Sequence, residues 1–154
     1  MKSLRAKIAQ QTLKLLKLRK WKSISIDNIC KNLKISKKKI PKSIKSKNDL
    51  LKNINQYFDD CMLVKIKSLE KSSSRDMIFE IYMLRFDLLN NYRISVLNIF
   101  AIFKKNPNKF IILLPSFITS IEKIAKASNI KTANVIIGRI KIKVLLIIYF
   151  ATFL

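Results

Sequence analysis

Apolar side chains recur every three or four residues along most of this chain, and lysine, glutamine and asparagine fill the positions between them. The first run consists of Leu4, Ile8, Leu15 and Leu18. This spacing places the four side chains on one face of a helix. Alternation of apolar and polar residues, which is typical of a strand, marks residues 139–143, but a lone strand there would have no partner. The pattern therefore predicts an all-α protein.

Serine residues that precede apolar runs predict where several helices begin, because a serine oxygen can accept hydrogen bonds from the first free N–H groups of a helix. Ser25, Ser36 and Ser46 occupy such positions. Asp49, three residues after Ser46, is placed to complete a capping box. Helices are expected over residues 3–18, 25–33, 36–44, 46–69, 75–90, 93–104 and 108–128, and from 133 to the C-terminus.

The composition supports one helical core and indicates an anionic partner. A chain of 154 residues is about one domain long, and 49% hydrophobic residues are enough to bury a core. The formal net charge of +23 favours polyanions such as nucleic acid or an anionic membrane surface. Lysine, isoleucine and asparagine are also the residues that AT-rich coding produces, so genomic drift is an alternative source of this charge.

Residues suited to catalysis or metal binding are scarce. The chain has no histidine and two isolated cysteines, Cys30 and Cys61, so a Cys/His zinc site is not expected. Asp59 and Asp60 are neighbours that diverge on a helix, and we interpret them as a solvated pair. We expect no enzyme activity, no cofactor and no metal. The cysteine usage suggests the cytoplasm, and no apolar run reaches the length of a transmembrane helix.

A helix, a break and two short helices joined by a tight turn form the helix-turn-helix arrangement, which recognises DNA. Residues 13–58 resemble, without gaps, the N-terminal domain of TetR-type transcriptional regulators. The matching features are Trp21 after the first helix, Cys30 within the second, Ile35-Ser36 before the third and Ser46-Lys47 before the fourth. Three positions depart from the family: Lys34 replaces the turn glycine, Pro41 replaces a tyrosine of the third helix, and Ile44 replaces the aromatic residue that closes that helix.

The resemblance implies a TetR-like fold and a transcriptional regulator, with repression as the expected effect. Residues 1–46 would form a three-helix DNA-binding unit, and residues 47–154 a helical bundle, with the fourth helix linking the two. Lysines at the start of the third helix, together with free N–H groups, would contact phosphates of double-stranded DNA. The expected DNA-binding residues are Ser25, Ser36, Lys37, Lys38, Lys39, Lys42, Lys45 and Lys47.

In TetR-type regulators the later helices enclose an apolar effector pocket, and the last helices pair with a second subunit. By this resemblance, a pocket for a small apolar effector or a lipid would be lined by Tyr82, Phe86, Phe100, Phe103 and Phe117. Ordinary core packing is the alternative role for these rings. The apolar run over residues 144–154 must be buried on more than one side, and a homodimer would provide the second side.

Two alternatives to a DNA-binding regulator remain open. The chain also resembles lipid-binding proteins of ubiquinone biosynthesis, which look TetR-like but have lost DNA recognition. The departures at Lys34 and Pro41 favour this alternative, whereas the lysines around the third helix favour DNA. A degenerate protein, or one that binds membrane surfaces, is the third possibility.

Overall fold

The computed structural model describes residues 3–130 and 135–151. Within these ranges the chain forms α-helices and short 3₁₀ turns and contains no strand, so the all-α prediction is confirmed. The helices are α1 (Leu4–Leu18), α2 (Ile26–Leu33), α3 (Lys47–Ile66), α4 (Ser74–Asn90), α5 (Arg93–Lys105), α6 (Pro107–Ala127) and α7 (Val135–Ala151). Residues 133–134 and 152–154 of the predicted last helix lie outside the described ranges.

Helix α3 is the centre of the packing and contacts α1, α4 and α6. Its apolar stripe, which includes Leu51, Ile54 and Met62, is almost fully buried. Removal of this apolar surface from water is the main force that favours the fold. Helix α1 packs against α2 and α5, and α6 packs against α7. The helices before and after residue 70 therefore share one hydrophobic core.

Side-chain caps hold several helix ends in place. The Ser25 oxygen accepts a hydrogen bond from the Asn28 N–H at 3.1 Å. At the start of α3, Ser46 and Asp49 form the predicted capping box.

Hydrogen bonds from two α5 side chains connect α5 to α1. Ser95 donates to the Leu13 carbonyl and Asn98 to the Leu16 carbonyl, both at 2.7 Å.

The predicted helix over residues 36–44 is wrong, because this segment contains a 3₁₀ turn at Lys37–Lys39 and a hydrogen-bonded turn from Pro41 to Ile44, but no α-helix. Pro41 has no N–H to donate to the Lys37 carbonyl, which accepts from the Ile40 N–H instead. A proline also disfavours the α conformation of the preceding residue, and Ile40 is extended with ψ 135°. The Ser36 side chain makes no capping hydrogen bond, so its predicted role as an N-cap is also wrong.

Helix α7 includes the segment whose alternating pattern resembled a strand. Its buried face carries Ile142, Leu145 and Tyr149, whereas Val144 and Ile147 are exposed. The chain itself therefore buries the described part of α7 on one side, and burial of the other side against a partner chain stays a prediction. No helix in the described ranges is both long enough and apolar enough to cross a membrane.

Candidate nucleic-acid interface and aromatic cavity

The turn after α2 has the left-handed backbone that glycine usually provides. Lys34 adopts φ 53° and ψ 43° at the C-terminal cap, and the Ile35 N–H donates to the Cys30 carbonyl at 3.0 Å. A residue with a Cβ atom is less favourable than glycine in this region. The turn expected from the helix-turn-helix pattern is thus formed at an energetic cost.

Five predicted DNA-binding lysines lie in the connection between α2 and α3, and all are exposed. We name them the lysine segment: Lys37, Lys38, Lys39, Lys42 and Lys45. In the described part of the chain, Lys37 is the one member of this segment that forms an ion pair, at 2.5 Å from Asp27. This pair is exposed and contributes little to stability. The other four ammonium groups are available to an anion at the surface.

The two predicted serines occupy different positions around this segment. Ser25 is half-buried, and its oxygen is engaged in capping α2. Ser36 is exposed at the beginning of the lysine segment, and its carbonyl accepts from the Lys39 N–H at 3.0 Å. Ser36 is therefore better placed than Ser25 to offer its hydroxyl to a phosphate.

Lys47 is directed into the protein rather than outward. Its Nζ donates to the carbonyls of Trp21 and Lys22 and lies 4.6 Å from the centre of the Trp21 ring. Burial, followed by repulsion from Lys109, lowers the pKa of Lys47. Lys47 therefore has a structural role, because its ammonium group links the Trp21–Ser23 turn to the start of α3. Its expected contact with the DNA backbone stays a prediction.

Three of the five predicted pocket residues, Phe100, Phe103 and Phe117, line an apolar cavity that is enclosed by the five helices from α3 to α7. Tyr82 and Phe86 lie outside that lining. The Tyr82 hydroxyl donates to the Leu145 carbonyl at 2.8 Å, and Phe86 stacks on Tyr149 at 5.6 Å between ring centres. The cavity volume is about 60 Å³, which suits a few water molecules rather than a lipid chain.

A buried ionic cluster borders this cavity, and the sequence did not reveal it. Arg85 is 1% exposed and donates to Asp59 at 2.5 Å and to the Asn55 side-chain oxygen at 2.7 Å. Its Nε donates to the Tyr149 hydroxyl at 3.0 Å, and Lys123 pairs with Asp59 at 2.8 Å. Burial tends to lower the pKa of Arg85, but Tyr149 and Asp59 outweigh it and raise that pKa.

The interpretation of Asp59 and Asp60 as a solvated pair is wrong for Asp59. Asp59 faces the core and is 1% exposed, whereas Asp60 is exposed and accepts a hydrogen bond from Gln56. The signal in the sequence was the helical position of Asp59, which follows Asn55 by one turn on the side that carries Met62. Its partner Arg85 is 26 residues away, and no local pattern connects them.

The exposed face of α7 forms a second surface of interest. Ile140, Val144 and Ile147 are between 48% and 67% exposed and follow one another along the helix. We name these three residues the α7 stripe. Arg139 and Lys143 are exposed beside it. Contiguous exposed apolar surface of this kind marks interaction sites in proteins.

Comparison with models of known protein families, with curated proteins and with solved structures yields no match. The TetR resemblance therefore rests on the residues quoted above. Among the described residues, no group of three or more possible metal ligands lies together. Cys30 is buried, Cys61 is half-buried, and both thiols are free.

Proposed function

We propose that this protein is a DNA-binding transcriptional regulator of the TetR type, acting as a repressor, that holds double-stranded DNA mainly by phosphate contacts. The observation that carries the proposal is the exposed lysine segment between α2 and α3, on the turn where the resemblance expects DNA. Four of its ammonium groups form no ion pair in the described ranges. Phosphate contacts supply affinity and position a protein on the duplex without reading its sequence.

Base readout requires an element that enters the major groove, and a helix is the usual one. Here the corresponding segment contains one 3₁₀ turn of three lysines and then Pro41. We therefore expect modest discrimination between DNA sequences and a strong dependence of the affinity on salt. These two binding properties would distinguish the protein from a regulator that has a complete recognition helix.

The test compares two triple variants that lose the same charge. Lys38→Ala/Lys42→Ala/Lys45→Ala removes cations from the lysine segment, and Lys65→Ala/Lys67→Ala/Lys71→Ala removes exposed cations in the last turn of α3 and just after it. Binding to random duplex and to duplex from the gene's own upstream region is measured by fluorescence anisotropy at several salt concentrations. The slope of log affinity against log salt should fall by about 0.9 for each phosphate that the variant no longer neutralises.

We expect the first triple variant to lose most of its affinity and salt dependence, while the matched control stays close to the unmodified protein. Equal losses in the two variants would show that net charge alone attracts DNA. Preference for the upstream duplex would support a regulator, because specific sites are typically bound about 10³ to 10⁷ times more tightly than non-specific DNA.

A TetR-like lipid-binding auxiliary protein of ubiquinone biosynthesis is the second candidate. The missing third helix favours it, as does the aromatic cavity lined by Phe100, Phe103 and Phe117. Because that cavity is about 60 Å³, a lipid could enter only if the helices around it moved apart. Co-purification of an isoprenoid lipid, together with DNA binding that is insensitive to the lysine segment, would establish this candidate.

The proposal includes a homodimer in the cytoplasm, whose interface contains the α7 stripe. Pairing would remove the exposed side chains of Ile140, Val144 and Ile147 from water. A small apolar effector would bind beside the aromatic cavity. Free thiols at Cys30 and Cys61 are compatible with a reducing compartment.

A further inference from the structure

A second concentration of positive charge lies on a different part of the molecule from the lysine segment. It is a cleft of about 680 Å³ between the end of α1, the Trp21–Ser23 turn, the end of α5 and the start of α6. We name it the basic cleft. Its lining comprises Lys17, Leu18, Arg19, Lys20, Trp21, Lys22, Asn98, Ala101, Ile102, Lys105, Asn106 and Lys109.

Six of the twelve lining residues are cations, and none is acidic. Like charges that share a cleft raise its potential and concentrate anions from solution. Lys17 and Lys105 also lie near the C-terminal ends of α1 and α5, where a cation is favourable. Lys109 gains no such stabilisation from a helix dipole. It lies in the first turn of α6, where the positive end of the dipole disfavours a cation.

The start of α6 adds to the positive potential. Its N-cap, Asn106, makes no side-chain capping hydrogen bond, and the first turn contains no acidic residue. The helix continues for 21 residues, so its N-terminus carries the partial positive charge of a long dipole. Lys109 and this helix end both face the cleft from the same wall.

Trp21 lies close to two ammonium groups at the edge of the cleft. The Nζ atoms of Lys47 and Lys109 lie 4.6 Å and 5.5 Å from the centre of its ring. Their mutual repulsion contributes to the lowered pKa of Lys47. The Trp21 Nε1 atom is buried and has no acceptor in the part of the chain that the structure describes. An anion in the cleft would offset this repulsion.

The volume and the lining of the cleft limit the kind of anion that it can bind. Its volume falls in the range of about 300–1,000 Å³ that is typical of small-molecule sites. Leu18, Ala101 and Ile102 provide apolar wall between the cations. Duplex DNA, whose major groove alone is about 12 Å wide, is too broad to enter such a recess. The occupant is therefore compact, multiply charged and partly organic.

We propose that the basic cleft binds a small organic molecule that carries two or more phosphate groups. Lys105 and Lys109 hold the phosphates against the start of α6, and Arg19 supplies a planar donor group from the end of α1. The apolar wall contacts the organic part. This site shares no residue with the lysine segment or the aromatic cavity, so it is independent of the DNA-binding proposal.

Isothermal titration calorimetry with the full chain tests the proposal. The probes are inorganic pyrophosphate, adenosine triphosphate and adenosine, in about 150 mM KCl, where long-range attraction is largely screened. Lys105→Ala/Lys109→Ala removes two cleft cations, and Lys65→Ala/Lys67→Ala is the matched control for net charge. Removal of two charge-assisted hydrogen bonds should weaken pyrophosphate binding at least about tenfold in the cleft variant. The control variant should stay within about twofold.

We expect the triphosphate to bind more tightly than pyrophosphate and adenosine not to bind. Equal weakening in the two double variants would overturn the proposal, because it would show attraction by net charge without a site. Binding to phosphatidylglycerol vesicles but not to pyrophosphate would also overturn it, in favour of a lipid surface. Circular dichroism of both variants establishes that a loss of binding does not result from unfolding.

Discussion

Arg85 lies inside the helical core although it carries a guanidinium group. It is held by Asp59, Asn55 and Tyr149, so its donors meet oxygen atoms on two other helices. A buried ion pair contributes little net stability compared with apolar residues, but loss of one partner leaves an uncompensated charge. The stability of this fold therefore depends on the completeness of the cluster.

The first prediction is that Asp59→Asn lowers the free energy of unfolding by about 3–5 kcal/mol, because Arg85 and Lys123 lose their shared carboxylate. Urea denaturation followed by circular dichroism measures the change. The neighbouring Asp60→Asn is the control, and its effect should remain within about 0.5 kcal/mol, since Asp60 is exposed. Similar effects of the two substitutions would contradict the importance of the buried cluster.

The capping box of α3 supplies the second prediction, which concerns pH. Burial tends to raise the pKa of Asp49, but hydrogen bonds from Ser46, Lys52 and Lys45 outweigh it and lower that pKa to about 2. A depressed folded-state pKa stabilises the fold above the ordinary value of 3.8 and loses this effect as the pH falls towards 2.

Asp49→Asn should therefore lower the free energy of unfolding at about pH 6, and its difference from the unmodified protein should shrink between pH 4 and 2. Denaturant titrations across this range, with Asp60→Asn as the reference, provide the measurement. A difference that stays constant down to pH 2 would mean that the carboxylate charge is unimportant for the cap.

Among the elements, those with long amphipathic patterns and clear caps could be predicted from the sequence. Helix α1 was expected over 3–18 and α5 over 93–104, and the structure has Leu4–Leu18 and Arg93–Lys105. The conformation of the segment after Ser36 was harder to predict, because its apolar spacing favours a helix whereas Pro41 opposes one. Three of the aromatic pocket residues came together, but the Arg85 cluster joins distant positions that no local period links.

Pro41 gives the third prediction. Pro41→Ala restores an N–H that can donate to the Lys37 carbonyl, so the 3₁₀ turn should extend into a short α-helix towards Ile44. Backbone chemical shifts of residues 37–44 should move towards helical values. Pro107→Ala is the control, because a proline in the first turn of a helix interrupts no hydrogen bond. Unchanged shifts would indicate that repulsion between the lysines, rather than the proline, prevents the helix.

For the whole molecule, one consequence of the net charge of +23 is that the chain repels copies of itself. Association through the α7 stripe must overcome this repulsion. Apolar contact is insensitive to charge screening, whereas repulsion weakens as ionic strength rises. Any dimer should accordingly be tighter at high salt, unlike the complex with DNA.

The fourth prediction is that Ile140→Lys/Ile147→Lys keeps the protein monomeric at concentrations at which the unmodified chain dimerises. The two substitutions place a cation at each end of the apolar stripe, where a second copy would have to bury it. Light scattering after size-exclusion chromatography gives the mass at low and high salt. Val64→Lys, at an equally exposed position on α3, should not alter it. A monomer in the unmodified protein at every salt concentration would disprove the proposed dimer.

Trp21 is the only tryptophan of the chain, and it lies half-buried beside the ammonium groups of Lys47 and Lys109. The intrinsic fluorescence of the protein therefore reports on one charged corner of the molecule. Iodide is drawn to that corner and caesium is repelled from it, so iodide should quench the emission far more strongly than caesium at equal ionic strength. The ratio of the iodide and caesium quenching constants therefore measures the electrostatic potential around Trp21.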